Sequence, residues 1–479
     1  MTAIQLGAVA ALAVLVALVA GAHAACTKRD NRAAMLWIAL IGFLPFVGAS
    51  LYFLLGINRI QRRAALLRPR RGRDRPPSSP AAIPIPPAGP GLPPALNHLE
   101  PLARAVGDLT GAPLLAGNRV EPLCNGDAAY PAMLADIGRA QHTVTLSSYL
   151  FGADAAGLAF VAALGAAARR GVQVRVLIDD SNSLFAHGGI YRALRQEGVV
   201  HARFLPVFRQ WPPVTVNLRN HRKLLVIDGR TRFTGGMNIM AAHWFGKRPA
   251  HPVADIQFRI EGPVVAHLQD AFADDWLFTT GESLEGDRWF PALVPAGPVL
   301  ARGIASGPDQ RLELLRWSLL AAIAGARHSL RIVTPYFVPD PPLIAALNVA
   351  RRRGVLVDIV LPAANDVPFV HWASAAQWWQ LLEHGCRIWI APPPFDHAKV
   401  FLVDDGWSLI GSSNWDPRSL RLNFEFDVEC YDRVLAATLA ARFEAQRRGA
   451  REVTLREMDA RPGLIRLRDG LCRLAAPFL

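Results

Sequence analysis

Two long apolar runs open the chain. Residues 4–22, IQLGAVAALAVLVALVAGA, and residues 33–57, AAMLWIALIGFLPFVGASLYFLLGI, carry no charge. At about 1.5 Å of rise per residue, either run as a helix is long enough for a hydrocarbon core of roughly 30 Å. The pattern predicts a membrane-spanning helix pair over residues 1–57. Pro45 would kink its second arm, with Trp37 and Tyr52 near the two interfaces. Ala22-His23-Ala24 resembles a signal-peptidase site. The opening MTAIQLG lacks a basic stretch, however, and a second apolar run follows at once, so the first run is read as retained. Residues 58–95 form a linker, first polybasic and then proline-rich, with nine prolines in residues 76–94. Such a stretch is a stiff, extended spacer rather than a packed element.

From residue 96 onward the pattern is globular α/β. HTVTLSSYLF reads as a strand, AGLAFVAALGAAARRG as a helix with a glycine stop, and VQVRVLID as a buried strand. The same order returns as HSLRIVTPYF, PPLIAALNVARRRG and VLVDIVLP. This is an internal duplication with a period of about 180 residues, too long for a solenoid repeat. It divides the body into residues 96–290 and residues 291–479, two copies of one α/β half.

Composition changes the picture in one respect. Half the residues are apolar (51%) and only 19% are charged, which points to a membrane-associated protein. Of the net charge of +13, residues 1–75 supply +9, eleven Lys/Arg against two Asp. Basic charge beside an apolar N-terminus favours anionic lipid over nucleic acid as the partner. Eight arginines between residues 59 and 75 outnumber the three basic residues of the loop CTKRDNR. The positive-inside rule then puts the body on the cytoplasmic side of a multi-pass inner-membrane protein. The five cysteines are scattered without a C-x-x-C pair, so neither a zinc site nor a disulfide framework is indicated.

The chemistry lies in a pattern that occurs twice. Residues 221–238 read HRKLLVIDGRTRFTGGMN and residues 397–414 read HAKVFLVDDGWSLIGSSN. His221 and His397, Lys223 and Lys399, Asp228 and Asp404, Asn238 and Asn414 fall at the same offsets. A histidine and a lysine two apart on a strand leave on the same face and meet one ligand together. Each copy offers an acid/base or nucleophile, a cation and a neutral amide. This suits a phosphodiester, whose oxygens gain charge in the transition state. One histidine can attack phosphorus while the other protonates the leaving oxygen, so neither copy suffices alone. No residue spacing suggests a metal, and no cofactor is expected.

These paired H-x-K-x4-D…G-[GS]-x-N stretches resemble the phospholipase D superfamily. The wider layout, with GNRVEPLCNGDAAYPAML, TPYFVPD, PFVHWAS and DPRSLRLNFEF, is similar to that of bacterial cardiolipin synthases over nearly the whole chain. The resemblance implies halves built of a mixed sheet flanked by helices, with the active site at their interface. It implies phosphatidyl transfer between two phosphatidylglycerol molecules through a phosphohistidine, without a metal. His221 would be the nucleophile and His397 the general acid. Lys223, Lys399, Asn238 and Asn414 would hold phosphate oxygens, and Asp228 and Asp404 would brace the strand ends. Asp255 and Glu425 match the carboxylates that orient the histidines, each expected to serve its own half. Asp427 shares a strand face with Glu425. His397, beside Asp396 and followed by Glu425 and Asp427, is expected among more negative charge than His221, favouring its protonated form.

Three stretches depart from the family pattern: IMAAHWFG after Asn238, Trp415, and Asp396 before His397. They are expected around the mouth of the site, where they bear on acceptor choice. Trp372, Trp378 and Trp379 could line an acyl entrance or pack in the core. The stretch GLIRLRDGLCRLAAPFL has helical apolar/Arg spacing and either lies in a membrane interface or docks on the protein itself. A hydrolytic phospholipase D is the alternative activity. A nuclease would leave the apolar helices unexplained, and a non-enzymatic scaffold would leave the intact motifs unexplained.

Overall fold

The computed structural model describes residues 3–28, 31–56, 91–185, 189–206, 218–308 and 313–474. It comprises two compact units, Met1–Leu66 and Leu67–Leu479. The arginine- and proline-rich residues 57–90 lie outside the described residues.

In the N-terminal unit, Ala3–Thr27 is one continuous helix, and among the described residues it is the helix long and apolar enough to cross a membrane. The second apolar run differs from expectation. It divides into helices Asn31–Phe43 and Pro45–Leu51, followed by a π-helical turn at Tyr52–Gly56. The break falls at Leu44, with φ −134° and ψ 73°. A residue preceding proline is pushed out of the helical region, and Pro45 restarts the helix from its first turn. Two uninterrupted spans are therefore replaced by one helix of spanning length and a broken arm, and a multi-pass protein is not supported. Trp37 and Tyr52 do not stand at opposite ends of that arm. They meet edge to face at 5.4 Å, and the buried Tyr52 hydroxyl hydrogen-bonds the His23 ring at 2.8 Å.

The strands of the body lie in one large sheet, except Val253–Ala254 and Phe395–Asp396, which pair as a separate two-stranded sheet, and all fall into two matching sets. In chain order these are β1 (Leu115–Cys124), β2 (Thr143–Ser148), β3 (Gln173–Asp179), β4 (His201–Phe204), β5 (Arg219–Asn220), β6 (Leu224–Ile227), β7 (Thr231–Gly235), β8 (Val253–Ala254) and β9 (Ile256–Glu261). The second set is β10 (Val299–Ser306), β11 (Ser329–Val333), β12 (Leu356–Pro362), β13 (Arg387–Ala391), β14 (Phe395–Asp396), β15 (Val400–Val403), β16 (Trp407–Gly411), β17 (Asn423–Tyr431) and β18 (Arg451–Val453). The first set runs β4-β3-β2-β6-β7-β9-β1 and the second β13-β12-β11-β15-β16-β17-β10, with β18 added at the edge. The two orders are identical, strand for strand. They join where β1 and β10 pair antiparallel, Leu115 facing Ala301 and Asn118 facing Val299. Within each half, parallel pairs (β2 with β3, β11 with β12) stand beside antiparallel ones (β2 with β6, β11 with β15), giving the expected mixed sheets.

Local chemistry repeats too. Asp154 caps helix Ala155–Arg169 by accepting from the Ala156 and Gly157 N–H groups, and Asp340 caps Pro341–Arg352 through the Leu343 N–H. Both helices end at glycines with positive φ, Gly171 (89°) and Gly354 (94°), where a Cβ would be strained. The arginines before these glycines have a common task. Arg170 donates to the Ile137 and Ala140 carbonyls, and Arg353 to those of Ile323 and Ala326, satisfying the exposed end of the preceding helix in each half. Each half has its own apolar core. Leu96, Leu99, Leu102 and Val106 pack into the core of the second half, although in sequence they open the first.

Candidate active site

The two histidines stand immediately ahead of β6 and β15, each preceded by a two-residue strand. Those short strands do not pair within their own halves. β5 runs parallel to the start of β17, Arg219 facing Asn423 and Asn220 facing Phe424. β14 runs parallel to β8, Phe395 facing Val253 and Asp396 facing Ala254. The register carries one residue further: the His221 N–H donates to the Phe424 carbonyl (2.9 Å) and the His397 N–H to that of Ala254 (2.7 Å). The next residue along each partner strand is a carboxylate. His221 Nδ1 lies 2.9 Å from Glu425 Oε2, and His397 Nδ1 lies 2.9 Å from Asp255 Oδ2. The expectation that each carboxylate serves its own half is corrected: the halves exchange them.

Burial governs the charge states. It lowers the His221 imidazole to about 4 against the pull of Glu425, and the His397 imidazole to about 3 with Lys399 adding to the effect. Burial pushes the carboxylates upward, but the facing imidazoles and lysines win and hold Glu425 and Asp255 down at about 2. The direction that follows is neutral imidazole against ionised carboxylate. Nδ1–H then donates to the carboxylate, and the Nε2 lone pair is left for chemistry. The ammonium groups are also depressed by burial, Lys223 to about 7 and Lys399 to about 8, with Glu425 and Asp255 respectively opposing the shift. His397 is not the more negatively surrounded histidine. Asp396 turns to Arg442 (2.7 Å) and Gln446, and Asp427 accepts from the Ser413 N–H (3.2 Å) and hydroxyl.

The other residues of the motif divide into two groups. Lys223 Nζ donates back to the His221 carbonyl (2.8 Å) and Lys399 Nζ to that of His397, which ties each cation to its own histidine. Each lysine also acts electrostatically on the histidine of the other half, so one site holds all four groups. Asn238 Oδ1 accepts from the Leu150 N–H (3.3 Å), leaving its NH2 as the free end. The buried Asn414 Oδ1 has no partner among the described residues. Asp228 and Asp404 are engaged elsewhere. Both adopt φ of 51° and accept from three consecutive backbone N–H groups: Gln141, His142 and Thr143 for Asp228, and Arg327, His328 and Ser329 for Asp404. They fasten the turn after β6 or β15 to the start of β2 or β11.

The variable position of G-[GS]-x-N has a physical reason. A Cβ on Gly236 would stand 2.6 Å from Asp255 Oδ1. At the equivalent place the longer Glu425 leaves room for Ser412, whose hydroxyl donates to Glu425 Oε2 at 2.6 Å.

Three aromatic residues border the site without having been singled out in the sequence. Tyr149 meets the His221 ring edge to face at 4.9 Å, and its own ring lies 5.4 Å from Lys223 Nζ. Tyr336 meets His397 at 6.2 Å. They do not occupy equivalent places: the strand registers match Tyr336 with Leu150 and Tyr149 with Pro335, so aligning the repeats would not have paired them. His243, in the divergent IMAAHWFG stretch, lies 6.4 Å from the His397 ring and donates from Nδ1–H to the Val253 carbonyl (3.0 Å). Of the three departures from the family pattern, this is the one that adds a side chain against a catalytic-site histidine. Trp415 instead packs in the core against Phe337 and Phe401, and Asp396 is neutralised by Arg442. Trp378 is likewise buried, donating from Nε1 to Ser374 Oγ (2.8 Å).

Known proteins agree with this architecture. The family model described as "Cardiolipin synthase, PLD-like domain" matches residues 133–276 and 319–447, one stretch in each half. A model described as the N-terminal segment of phospholipase D-nuclease proteins matches residues 8–56. A cardiolipin synthase of Geobacillus kaustophilus is 32% identical over 456 residues, covering 92% of this chain and 88% of that protein. Cardiolipin synthase A of Pseudomonas putida is 34% identical over 477 residues, covering 97% and 96%. The crystal structure of a phosphatidylserine synthase from Haemophilus influenzae superposes with a TM-score of 0.61 at 17% identity, over 79% of this chain and all of that one, a likeness of fold. With both halves matched and relatives above 30% identity aligned nearly end to end, the chain belongs to the cardiolipin synthase family of phospholipase D-like proteins.

Proposed function

We propose that the protein is a phosphatidyltransferase that makes cardiolipin and glycerol from two molecules of phosphatidylglycerol. Nε2 of His221 attacks the phosphorus of the first lipid and the bond to its terminal glycerol breaks. His397 delivers a proton to the departing oxygen. The terminal hydroxyl of the second lipid then gives its proton to His397 and attacks phosphorus, releasing His221. Lys223, Lys399 and the two asparagines hold the phosphate oxygens while charge builds on them. His397 takes up its proton with the substrate, because a phosphodiester anion alongside raises the proton affinity that burial lowered. No step calls on a metal.

The observation that carries this reading is the crossed pair of imidazole–carboxylate contacts, which fixes two bare Nε2 atoms beside two lysines. The heavier bracing of His221 supports its role as nucleophile. Next to it, Arg222 bonds to Asp275 (2.6 Å), the Glu425 carbonyl (3.0 Å) and the Ser306 carbonyl (3.2 Å). The corresponding residue beside His397 is Ala398. A nucleophile must stay in line with phosphorus, whereas an acid that later acts as base serves two different oxygens. The partner is anionic phospholipid rather than nucleic acid. The apolar helix Ala3–Thr27 anchors the chain in the bacterial inner membrane, and the arginines of residues 59–75 support a cytoplasmic body.

Expression in a bacterial host that makes no cardiolipin tests the reaction: cardiolipin should appear in the extracted lipid. Phosphatidic acid in its place would make the protein a hydrolase. Turnover should persist in EDTA, and a loss reversed by adding divalent ions would overturn the metal-free scheme. Acid quench with labelled phosphatidylglycerol should leave label on the His221 peptide. Label on the His397 peptide alone would reverse the two roles.

A further inference from the structure

The helix Gly463–Leu474 rests on helix Pro368–Ala375 with its apolar stripe pointing away from the body. Leu464, Leu467, Leu471 and Leu474, spaced i, i+3, i+7 and i+10, share one face at 100° per residue. They are 81%, 59%, 58% and 73% exposed. The inward side is held by Asp469, which is buried and paired with Arg461 (2.8 Å) and Arg468 (2.7 Å), and by the half-buried Cys472. A soluble helix buries its leucines and exposes its charges. Here the one carboxylate of the helix is inside and its leucines are outside.

Neighbouring residues extend the surface. Phe369 is 57% exposed and packs edge to face on Trp372 at 5.4 Å, and the Arg468 guanidinium covers the Trp372 ring at 4.3 Å. Asp469 is consumed by its two arginines. The exposed Arg466 and Arg473 therefore line one flank of the stripe without a carboxylate on the helix to neutralise them. An apolar stripe with arginine flanks and aromatic neighbours matches the headgroup–acyl boundary of an anionic bilayer. A second copy fits worse, because self-pairing would bring these arginine flanks together.

Buried packing links the same helix pair to the active site. Val338, Val370 and Ala373 form a small cluster with Tyr336 on one side and Cys472 on the other. Tyr336 donates from its hydroxyl to Asp366 (2.5 Å), two residues before helix Pro368–Ala375, and its ring packs on His397. We propose that Gly463–Leu474, with Phe369, is a bilayer-docking surface that seats the second half of the body on anionic lipid beside the His397 side of the site. This rests on the reading of the substrate as a membrane lipid and adds where the body meets its source.

The test uses the full chain in vesicles, with the exposed Cys26 and Cys124 and the half-buried Cys472 replaced by serine. A fluorescent label goes on Leu471→Cys or, for comparison, on the exposed Val434→Cys. Lipids carrying a nitroxide on the acyl chain should quench the label at 471 several-fold more than at 434, and more in vesicles containing phosphatidylglycerol than in phosphatidylcholine alone. Equal quenching at the two positions, indifference to lipid charge, or energy transfer between copies in dilute vesicles would each overturn the surface. As a second arm, Leu467→Gln with Leu471→Gln should lower turnover of long-chain phosphatidylglycerol in vesicles several-fold. Turnover of a short-chain, monomerically dispersed analogue should remain within about twofold. Equal loss on both substrates would count against a docking role. A quenched label on a protein that makes no cardiolipin would sink the proposed reaction and leave the surface standing; an unquenched label on an active protein would do the reverse.

Discussion

The two halves carry the same strand order, the same motif and the same caps, yet they hold their histidines differently. Around His221 the orienting Glu425 accepts from three further side chains, Ser412 (2.6 Å), Ser419 (2.9 Å) and Asn423 (3.1 Å). Around His397 the shorter Asp255 accepts from one backbone N–H besides the imidazole, that of Ile256 (2.7 Å). Arg222 fastens the first histidine's strand to the other half, and Ala398 fastens nothing. Duplication supplied two copies of one device, and the surroundings then made one rigid and the other more lightly held. That difference is what a covalent nucleophile and a reusable proton carrier require of two otherwise equal imidazoles.

The largest effect should come from removing either histidine. His221→Ala and His397→Ala should each reduce turnover by on the order of 10³-fold or more, because the two act in series. Near-wild-type turnover in either variant would break the relay, whereas phosphatidyl trapped on His221 in His397→Ala would sharpen it.

Exchanging a carboxylate should cost nearly as much, about 10³-fold, by releasing the imidazole tautomer. The location of the effect is the informative part. Nitrogen NMR of the histidines should show Asp255→Asn disturbing His397 and Glu425→Gln disturbing His221. The opposite assignment would contradict the exchange between halves.

Lys223→Ala and Lys399→Ala should each cost about 10²-fold, the scale for losing one preorganised charge at a transition state. Steady-state kinetics on mixed micelles would read it, and a loss confined to KM would mean that the lysine only binds the ground state.

The smallest effect is a pH limb. Lys223 at about 7 and Lys399 at about 8 are ammonium groups below those values and lose the charge that receives phosphate above them. The ratio kcat/KM, which reports the free protein, should therefore fall as pH rises through about 7 to 8. In kcat the limb should lie at higher pH, since bound phosphate stabilises the ammonium form. A ratio that stays flat to pH 9 would mean that neither lysine titrates in this range.

Much of this was legible in the sequence. The offset of two that pairs His221 with Lys223 and His397 with Lys399 was legible, although these residues stand in the links just ahead of β6 and β15 and not within a strand. The duplication followed from repeated local signals: the strand–helix–strand order and the Arg-Arg-Gly helix stops depend on neighbours within a few residues. Pro45 announced a kink, but not that the helix would break outright at Leu44. Tertiary structure alone decided which carboxylate meets which histidine. His221 and Glu425 are 204 residues apart, and His397 and Asp255 are 142 apart. In a duplicated chain, pairing within a half and pairing between halves satisfy the same residue pattern. The choice was made by the two-residue strands β5 and β14 reaching across to β17 and β8. It was also tertiary packing that brought His243 to His397 and buried Asp469 of Gly463–Leu474. An amphipathic pattern gives a helix two faces, but the partner available in space determines which of them turns inward.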